Sequence, residues 1–257
     1  MAKKYYVVWQ GRETGIFTDW DTCKKNVYQF AGAKYKSFKT RAEADAAFRG
    51  GSQAATKVAK TTAKKPSGTA KKGLKTYTAE EVAELSVQIK IFTDGGCEPN
   101  PGKAASGIAV YREEKADELW YGLFNPEGTN NTAELNALHQ ALLMAEKEIK
   151  QKNTVAIFCD SKYSIQCVTQ WAFGWEKKGW KKPGGEIKNL DLIQPMFALY
   201  KKLETSVRIL HVNGHVGVEG NELADRMSIH GIDTKEAKFE RFETPTDFKE
   251  ILAMRTG

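Results

Sequence analysis

Two apolar segments of this chain each end on an aspartate, and they constrain its fold more than any other feature. IKIFTD runs to Asp94, and VAIFCD runs to Asp160. Apolar runs of this length predict buried strands, and open α/β sheets bind ligands beyond the carboxyl ends of their strands. If the two strands are neighbours in register, their carboxylates meet. Each aspartate also has a purely structural explanation, Asp94 as a turn residue and Asp160 as a helix N-cap.

Strand-like and helix-like segments alternate around these two strands. The order is VQIKIFTD, SGIAVYRE and ADELWYGLF as strands, then NTAELNALHQALLMAEKEIK as a helix, VAIFCD as a strand, SKYSIQCVTQWAFGW and DLIQPMFALYKKL as helices, VRILHV as a strand and GNELADRMSIHG as a helix. Hairpins followed by alternating elements predict an α/β domain over residues 87–232, with a mixed five-stranded sheet flanked by helices.

The rest of the chain divides into three parts. Residues 1–49 contain the strand-like YYVVW, IFTDW and AKYKSF, which predict a small three-stranded sheet with two helices. Residues 50–86 predict a flexible basic linker, because no carboxylate occurs from Ala46 through Ala79. This linker is either a solvated spacer or one that also touches phosphates. Residues 233–257 form a C-terminal extension in which TPTD precedes a helical pattern that packs back on the domain or docks a partner.

The composition restricts the partner and the compartment. A formal net charge of +7 and a pI near 9.0 favour nucleic acid or an acidic membrane surface, although excess lysine also aids solubility. No segment approaches the roughly 18 apolar residues of a membrane span, and no signal peptide is recognisable, so a cytoplasmic location is expected, with a nuclear or organellar one as the alternative. The four cysteines lack a C-x-x-C spacing or a nearby histidine pair, which predicts reduced thiols and no zinc site.

Two further acids and a histidine are candidates for the same site. Glu134 lies in the first turn of a helix, where it could simply complement the helix dipole, and Asp225 lies in NELAD, where a solvated acid is the ordinary expectation. Carboxylates that converge raise one another's pKa unless a cation lies among them. Oxygen ligands select Mg²⁺ or Mn²⁺, and two such ions support phosphoryl displacement. His215, in a glycine-rich loop, is suited to proton transfer.

A segment rich in tryptophan and lysine predicts a nucleic-acid groove. TQWAFGWEKKGWKKPGGEIKN places Trp171, Trp175 and Trp180 among several lysines. Aromatic residues four positions apart more often fill a core. Interleaved lysines favour base or sugar contacts combined with phosphate neutralisation.

The order DGG, TAEL, a strand closing on DS, and GH followed by NELAD resembles the type 1 ribonuclease H family over about residues 87–232. The resemblance implies an endonuclease that hydrolyses the RNA strand of RNA/DNA hybrids and leaves 5′-phosphate and 3′-hydroxyl ends. It implies that Asp94 bridges two Mg²⁺ ions, with Mn²⁺ as a substitute. Asp225 would hold the ion that activates water, and Glu134 and Asp160 would hold the other. His215 would assist departure of the product.

The same resemblance implies residues that bind the two strands of the hybrid. Asn100, Asn130 and Asn131 match positions that contact the RNA around its 2′-hydroxyls. Trp171 and Trp175 match positions of the channel that binds the DNA strand. Thr129 and Asn189 match positions of a phosphate pocket on the DNA side. Two departures concern the pocket and its surroundings: Glu127 stands where some relatives have arginine, and Pro183 stands where some have serine.

The N-terminal unit resembles the hybrid-binding domain that precedes many such enzymes, through G-R-E-T-G-I-F-x-x-W. The resemblance implies that Trp20 and Tyr35 stack on sugars of the DNA strand, that Tyr6 supports them and that Lys36 meets phosphate. Ser37 stands where a second lysine often follows.

The expected partner is therefore an RNA/DNA hybrid, with no membrane, no small-molecule cofactor and a monomeric protein. One alternative is a non-catalytic protein that binds hybrids or double-stranded RNA, which the complete acid set disfavours. Another is a related DNA nuclease or integrase, which the asparagines and the N-terminal unit disfavour.

Overall fold

The computed structural model describes residues 4–27, 30, 33–38, 40–49, 74–214, 217–243 and 248–257. The chain divides into two compact units, residues 1–70 and 71–257. Most of the predicted linker, residues 50–73, lies outside the described residues. Among the described residues, no helix is both long and apolar enough to cross a membrane.

The N-terminal unit is a small antiparallel sheet with two helices, as the sequence predicts. Its elements are β1 (Tyr5–Gln10), β2 (Gly15–Phe17), α1 (Trp20–Val27), β3 (Lys34–Phe38) and α2 (Arg41–Arg49), with the strand order β2-β1-β3. Alternation along β1 buries Val8, which packs against Cys23 and Val27 of α1. Val7, on the other side of the strand, is also fully buried, and Trp9 Nε1 donates to the Ala47 carbonyl of α2 at 3.0 Å, so both sides of β1 are packed.

The larger unit is built on a mixed sheet of seven strands. They are β4 (Thr76–Tyr77), β5 (Ile89–Glu98), β6 (Gly102–Arg112), β7 (Lys115–Gly128), β8 (Val155–Cys159), β9 (Val207–Val212) and β10 (Phe239–Arg241), in the order β10-β7-β6-β5-β8-β9-β4. The five central strands are the predicted ones, antiparallel from β7 to β5 and parallel from β5 to β9. The two edge strands are additions that the sequence does not predict, because two or three residues carry no readable periodicity.

Helices cover both faces of this sheet. They are α3 (Ala79–Ala83), α4 (Asn130–Lys150), α5 (Lys162–Gln166), α6 (Ala172–Lys177), α7 (Leu190–Leu203), α8 (Glu219–Thr234) and α9 (Phe248–Leu252), with a π-helical turn at Cys167–Trp171 between α5 and α6. One apolar cluster joins the sheet to α4 and α7, and a second joins it to α8. Burial of both faces explains why the parallel strands are continuously apolar.

The larger unit begins earlier than the sequence suggests. The predicted linker extends to residue 86, but Thr76 and Tyr77 pair in parallel with His211 and Val212 of β9. Thr78 then starts α3 with a capping box. Residues 76–83 therefore belong to the sheet domain, since both elements have their own hydrogen-bonding partners there.

The C-terminal extension packs back on the domain. Phe239–Arg241 pairs with β7, and α9 places Ile251, only 3% exposed, in the cluster that also contains Phe92 and Val82. The predicted helix start at residues 244–247 lies outside the described residues. Of the two alternatives for this segment, the described part shows packing on the chain itself.

Candidate active site and nucleic-acid interface

The two aspartates that end apolar strands lie side by side. Strands β5 and β8 are parallel neighbours, and Thr93 pairs with Cys159, so the next residues in the chain are Asp94 and Asp160. The expected adjacency of these strand ends is confirmed. The carboxyl edge of the parallel strands is where open α/β sheets place their ligand sites.

Two helices bring the other acids to the same edge because glycines let them approach closely. A Cβ on Gly95 would lie 2.3 Å from the backbone nitrogen of Glu134 in α4. One on Gly107, which pairs with Asp94 in the sheet, would lie 2.1 Å from the carbonyl oxygen of Ala224 in α8. The absence of side chains at these two positions allows Glu134 and Asp225 to reach the strand ends.

All four carboxylates line one pocket of about 360 Å³. Asp94, Glu134 and Asp225 are 8%, 5% and 4% exposed, respectively, and Asp160 is partly buried. Burial and the neighbouring Asp160 and Asp225 carboxylates raise the pKa of Asp94 to about 8. Burial, followed by the charges of Asp94 and Asp160, holds the pKa of Glu134 well above its usual range. Such crowding of buried acids favours a bound cation.

Neighbouring side chains hold three of these acids in place. Ser228 Oγ lies 3.1 Å from Asp94 Oδ2, and Asn221 Nδ2 donates to Asp160 Oδ2 at 3.4 Å. Arg226 donates to Asp225 through Nη1. No motif in the sequence marks Ser228, Asn221 or Arg226 for this role, although the spacing of Asn221, Asp225 and Ser228 in one helix indicates a shared face.

The histidines have different surroundings. His211 Nε2 donates to the carbonyl of Asp160 at 3.1 Å, and its Nδ1 lies 2.8 Å from the Thr76 hydroxyl. His211 thus holds the backbone at the end of β8 and has a structural role. His230 is partly buried between Tyr121 and Phe242, whose ring centroids lie 4.5 and 5.1 Å from its own. His215, the candidate proton-transfer residue, lies outside the described residues.

The C-terminal segment reaches the acid pocket. The Gly257 N–H donates to Asp225 Oδ1 at 3.3 Å, and Arg255 bonds to Glu98 Oε2 at 2.5 Å and to Asp233 Oδ1 at 2.8 Å. This segment therefore forms part of the pocket wall, which the sequence did not indicate.

Of the three asparagines implied in RNA contact, Asn130 lines the acid pocket and Asn100 is hydrogen-bonded to it. Asn100 Oδ1 accepts from the backbone N–H of Asn130 at 3.3 Å, which links the β5–β6 turn to the start of α4. Asn130 lines the acid pocket, and Asn131 is exposed.

The tryptophan-rich segment forms a separate surface cleft of about 490 Å³. Trp171 and Trp175 lie with their ring centroids 5.8 Å apart, and the cleft is lined also by Lys178, Lys181 and Lys182. Trp180 instead packs edge-on against Phe197 of the core. The aromatic pair with adjacent lysines has the composition of a single-strand groove.

The two residues of the implied phosphate pocket both precede helices. Thr129 is the N-cap of α4, and Asn189 occupies the corresponding position of α7 with φ 58°. Asn189 Nδ2 donates to the Tyr163 hydroxyl at 3.1 Å. Glu127, close in sequence to Thr129, is exposed.

The N-terminal unit carries an exposed aromatic row. Trp20 and Tyr35 are 43% and 46% exposed, and their ring centroids lie 6.0 Å apart. Tyr6 lies 5.4 Å from Trp20 on its other side. Lys36 is exposed beside this row on β3. Exposed aromatic rings in a fifty-residue unit require an explanation other than packing.

Comparison with known sequences gives two family matches. Residues 86–233 match the model of RNase H, and residues 4–48 match that of the Ribonuclease H1 N-terminal domain. A Ribonuclease H of Pseudomonas putida is 34% identical over 155 residues, 60% of this chain and 99% of the relative. The Ribonuclease H1 of Mus musculus is 29% identical over 262 residues, 90% of each chain. A Ribonuclease H of Methylorubrum extorquens is 36% identical over 141 residues. This match covers 55% of the present chain and 58% of the relative.

A comparison of structures agrees on the fold. The foamy viral protease-reverse transcriptase solved in complex with RNA/DNA hybrid superposes with a TM-score of 0.50 at 19% identity, over 69% of this chain and 24% of that one. The match of the RNase H model spans more than half of the chain and includes all four converging acids. The chain therefore belongs to the RNase H family, with a Ribonuclease H1 N-terminal domain ahead of the nuclease domain.

Proposed function

We propose that this protein is an endonuclease that hydrolyses the RNA strand of RNA/DNA hybrids by a two-metal-ion mechanism, leaving 5′-phosphate and 3′-hydroxyl ends. The observation that carries the proposal is the convergence of four carboxylates in one pocket of a chain with a net charge of +7. A crowded acidic pocket opposes a polyanionic substrate unless cations neutralise it. The Pseudomonas and mouse relatives, both named as ribonucleases H, support the same reaction.

The donor set fits divalent metal ions. Among the described residues, no group donates a hydrogen bond to the buried Oε2 of Glu134. Asp94, Glu134, Asp160 and Asp225 would hold two Mg²⁺ ions, with Mn²⁺ as a substitute, because carboxylate oxygens suit both. Such ions supply activation of water and neutralisation of charge at the phosphate.

The chain's own residues then orient the ligands and the substrate. Ser228 and Asn221 fix the Asp94 and Asp160 carboxylates, and His211 fixes the backbone of Asp160. Asn130 lines the acid pocket and Asn100 is hydrogen-bonded to it, and both would meet the 2′-hydroxyls that distinguish RNA from DNA. His215 would move a proton during departure of the product.

Two aromatic surfaces would bind the DNA strand. In the nuclease domain, Trp171 and Trp175 would contact the strand while the adjacent lysines neutralise its phosphates, and Thr129 and Asn189 would hold one phosphate. In the N-terminal domain, Trp20 and Tyr35 would stack on the sugars, with support from Tyr6, and Lys36 would meet a phosphate.

Substituting Trp20 by alanine is expected to weaken hybrid binding roughly tenfold, because a stacking contact contributes about 1–3 kcal/mol. Binding is measured by fluorescence anisotropy of a labelled hybrid in the presence of EDTA, so that no cleavage occurs. Phe48→Ala is the matched control, since Phe48 is a 38% exposed aromatic residue of the same domain that lies on α2 and not in the row. Equal affinities for the two variants would contradict the assigned binding surface.

The proposed function is tested with an end-labelled RNA/DNA hybrid incubated with and without Mg²⁺, beside double-stranded RNA and double-stranded DNA of the same sequence. The expected result is Mg²⁺-dependent cutting of the RNA in the hybrid alone. The new ends are identified by their response to phosphatase and ligase. Binding of the hybrid without cutting would overturn the enzymatic proposal and assign the protein to hybrid-binding proteins.

A further inference from the structure

Cys159 places a thiol beside two of the acids. It is the last residue of β8, directly before Asp160, and its side chain is fully buried. The Cys159 Sγ and one carboxylate oxygen each from Glu134 and Asp160 all lie within 4.8 Å of one another. The cysteine pattern in the sequence gave no hint of this arrangement, because the fold and not the spacing brings a sulfur atom to the oxygen ligands.

The surroundings of this group point to a ligand. The buried Oε2 of Glu134 accepts no hydrogen bond from any described residue. The Cys159 thiol donates to the carbonyl of Ser161 at 3.8 Å, a long hydrogen bond that a thiol readily exchanges for a metal ion. A buried carboxylate with an unpartnered oxygen thus lies beside a weakly bonded thiol inside the protein, and the fold does not satisfy that oxygen.

The donor chemistry separates two classes of cation. Magnesium binds hard oxygen ligands and does not select sulfur, whereas Zn²⁺ and Cd²⁺ accept thiolate and carboxylate together. Ligand atoms around a tetrahedral Zn²⁺ lie roughly 3.3–3.7 Å apart. Side-chain adjustments of about 1 Å would therefore close the three groups on one ion, with water from the adjoining pocket as a fourth ligand.

We propose that Cys159, Glu134 and Asp160 form a site for a thiophilic divalent cation of the Zn²⁺ or Cd²⁺ class, and that its occupation withdraws Glu134 and Asp160 from Mg²⁺. Coordination releases the thiol proton to water and involves no change of oxidation state. Binding depends only on these three side chains, whereas the competition with Mg²⁺ rests on the proposed function. The site makes the nuclease sensitive to thiophilic metals through one residue.

The test uses Cd²⁺ with the full chain, free of metal and nucleic acid. Titration is followed by the ultraviolet charge-transfer absorption of a cadmium–thiolate bond and by calorimetry. The parent protein is expected to develop the band at one equivalent, and Cys159→Ser to lack it and to bind Cd²⁺ at least about tenfold more weakly. Cys97→Ser is the matched control, because Cys97 lines the same acid pocket but its Sγ lies against the carbonyls of Pro99 and Gly128.

Two results would overturn the proposal: an unchanged band and affinity in Cys159→Ser, or loss of the band in Cys97→Ser instead. Cys159→Ala provides a second replacement if the buried serine prevents folding, which a thermal melt reveals. Glu134→Gln is expected to keep the absorption band and to bind Cd²⁺ about tenfold more weakly. An unchanged affinity would show that the Glu134 carboxylate is not a ligand of the ion. Because these measurements use no hybrid, failure of the cleavage assay would refute the nuclease proposal and leave the cadmium result intact.

Discussion

Replacing Asp94 by asparagine is expected to abolish cleavage of the hybrid and to stabilise the metal-free protein at neutral pH. The charges of both Asp160 and Asp225 act on Asp94, so in the proposed mechanism Asp94 is the acid that two ions would share. Loss of metal-ion stabilisation worth several kcal/mol corresponds to a rate decrease of roughly 10³-fold or more. Hybrid binding, which depends on the aromatic surfaces, is expected to persist.

The gain in stability follows from the raised pKa of Asp94. Its value is about 8 in the folded protein, against 3.8 for an ordinary aspartate, so the folded chain binds the proton more tightly than the unfolded chain does. The stabilisation from this proton is therefore complete below pH 4 and is lost as the pH rises to 8. Asparagine removes that loss, and the expected gain at pH 8 is on the order of 5 kcal/mol.

Chemical denaturation in EDTA at pH 5 and pH 8 measures this effect, and the hybrid gel measures the activity. Glu84→Gln is the control for loss of one negative charge, since Glu84 is exposed and lies outside the acid pocket. Persistent cleavage by Asp94→Asn would refute the metal assignment. A stability difference between variant and parent that is the same at both pH values would refute the electrostatic explanation.

Replacing Gly107 by alanine is expected to destabilise the protein by about 3 kcal/mol and to reduce activity. The new Cβ would lie 2.1 Å from the Ala224 carbonyl oxygen and 2.4 Å from the backbone nitrogen of Ser228. These are backbone atoms that cannot rotate away, so α8 must move, and overpacking of this kind costs about 1–3 kcal/mol or more. Because α8 carries Asp225, a displacement of about 1 Å can lower the rate about 10²-fold.

Thermal melts and cleavage rates of Gly107→Ala are compared with those of Gly174→Ala. A Cβ on Gly174 meets no atom within 4 Å, and this residue lies inside helix α6. Alanine there is expected to raise stability slightly, by about 0.5–1 kcal/mol. Similar melting temperatures for the two variants would show that α8 does not depend on the space at Gly107.

The central fold could be predicted because each of its strands has a strong local pattern. Continuous apolar runs that end on Asp94 and Asp160 define both the strands and the end of the sheet where the carboxylates meet. The aromatic row of the N-terminal unit could be predicted from its resemblance to a hybrid-binding domain. The convergence of Glu134 and Asp225 on the same pocket needed the family pattern as well, because a helical acid is ordinarily solvated.

Other features depend on contacts between distant residues and could not be read locally. Edge strand β4 has two residues, too few for a periodic pattern. Trp180 resembles its neighbours in the basic segment, yet packs on Phe197 because the chain turns there with a φ of 60°. The contact of Gly257 with Asp225 joins residues 32 positions apart across a segment with no family match.

The early start of the sheet domain limits where the chain can be divided for expression. Lys90 is 2% exposed, and its Nζ donates to the carbonyls of Val82 and Ala83 at 2.7 and 3.4 Å, as well as to Glu114 Oε2 at 2.6 Å. In a fragment that begins at residue 87, the Lys90 ammonium group would lose both carbonyl acceptors. His211 would lose its hydrogen bond with the Thr76 hydroxyl. A nuclease fragment that preserves the protein's own hydrogen bonds has to retain residues 76–86.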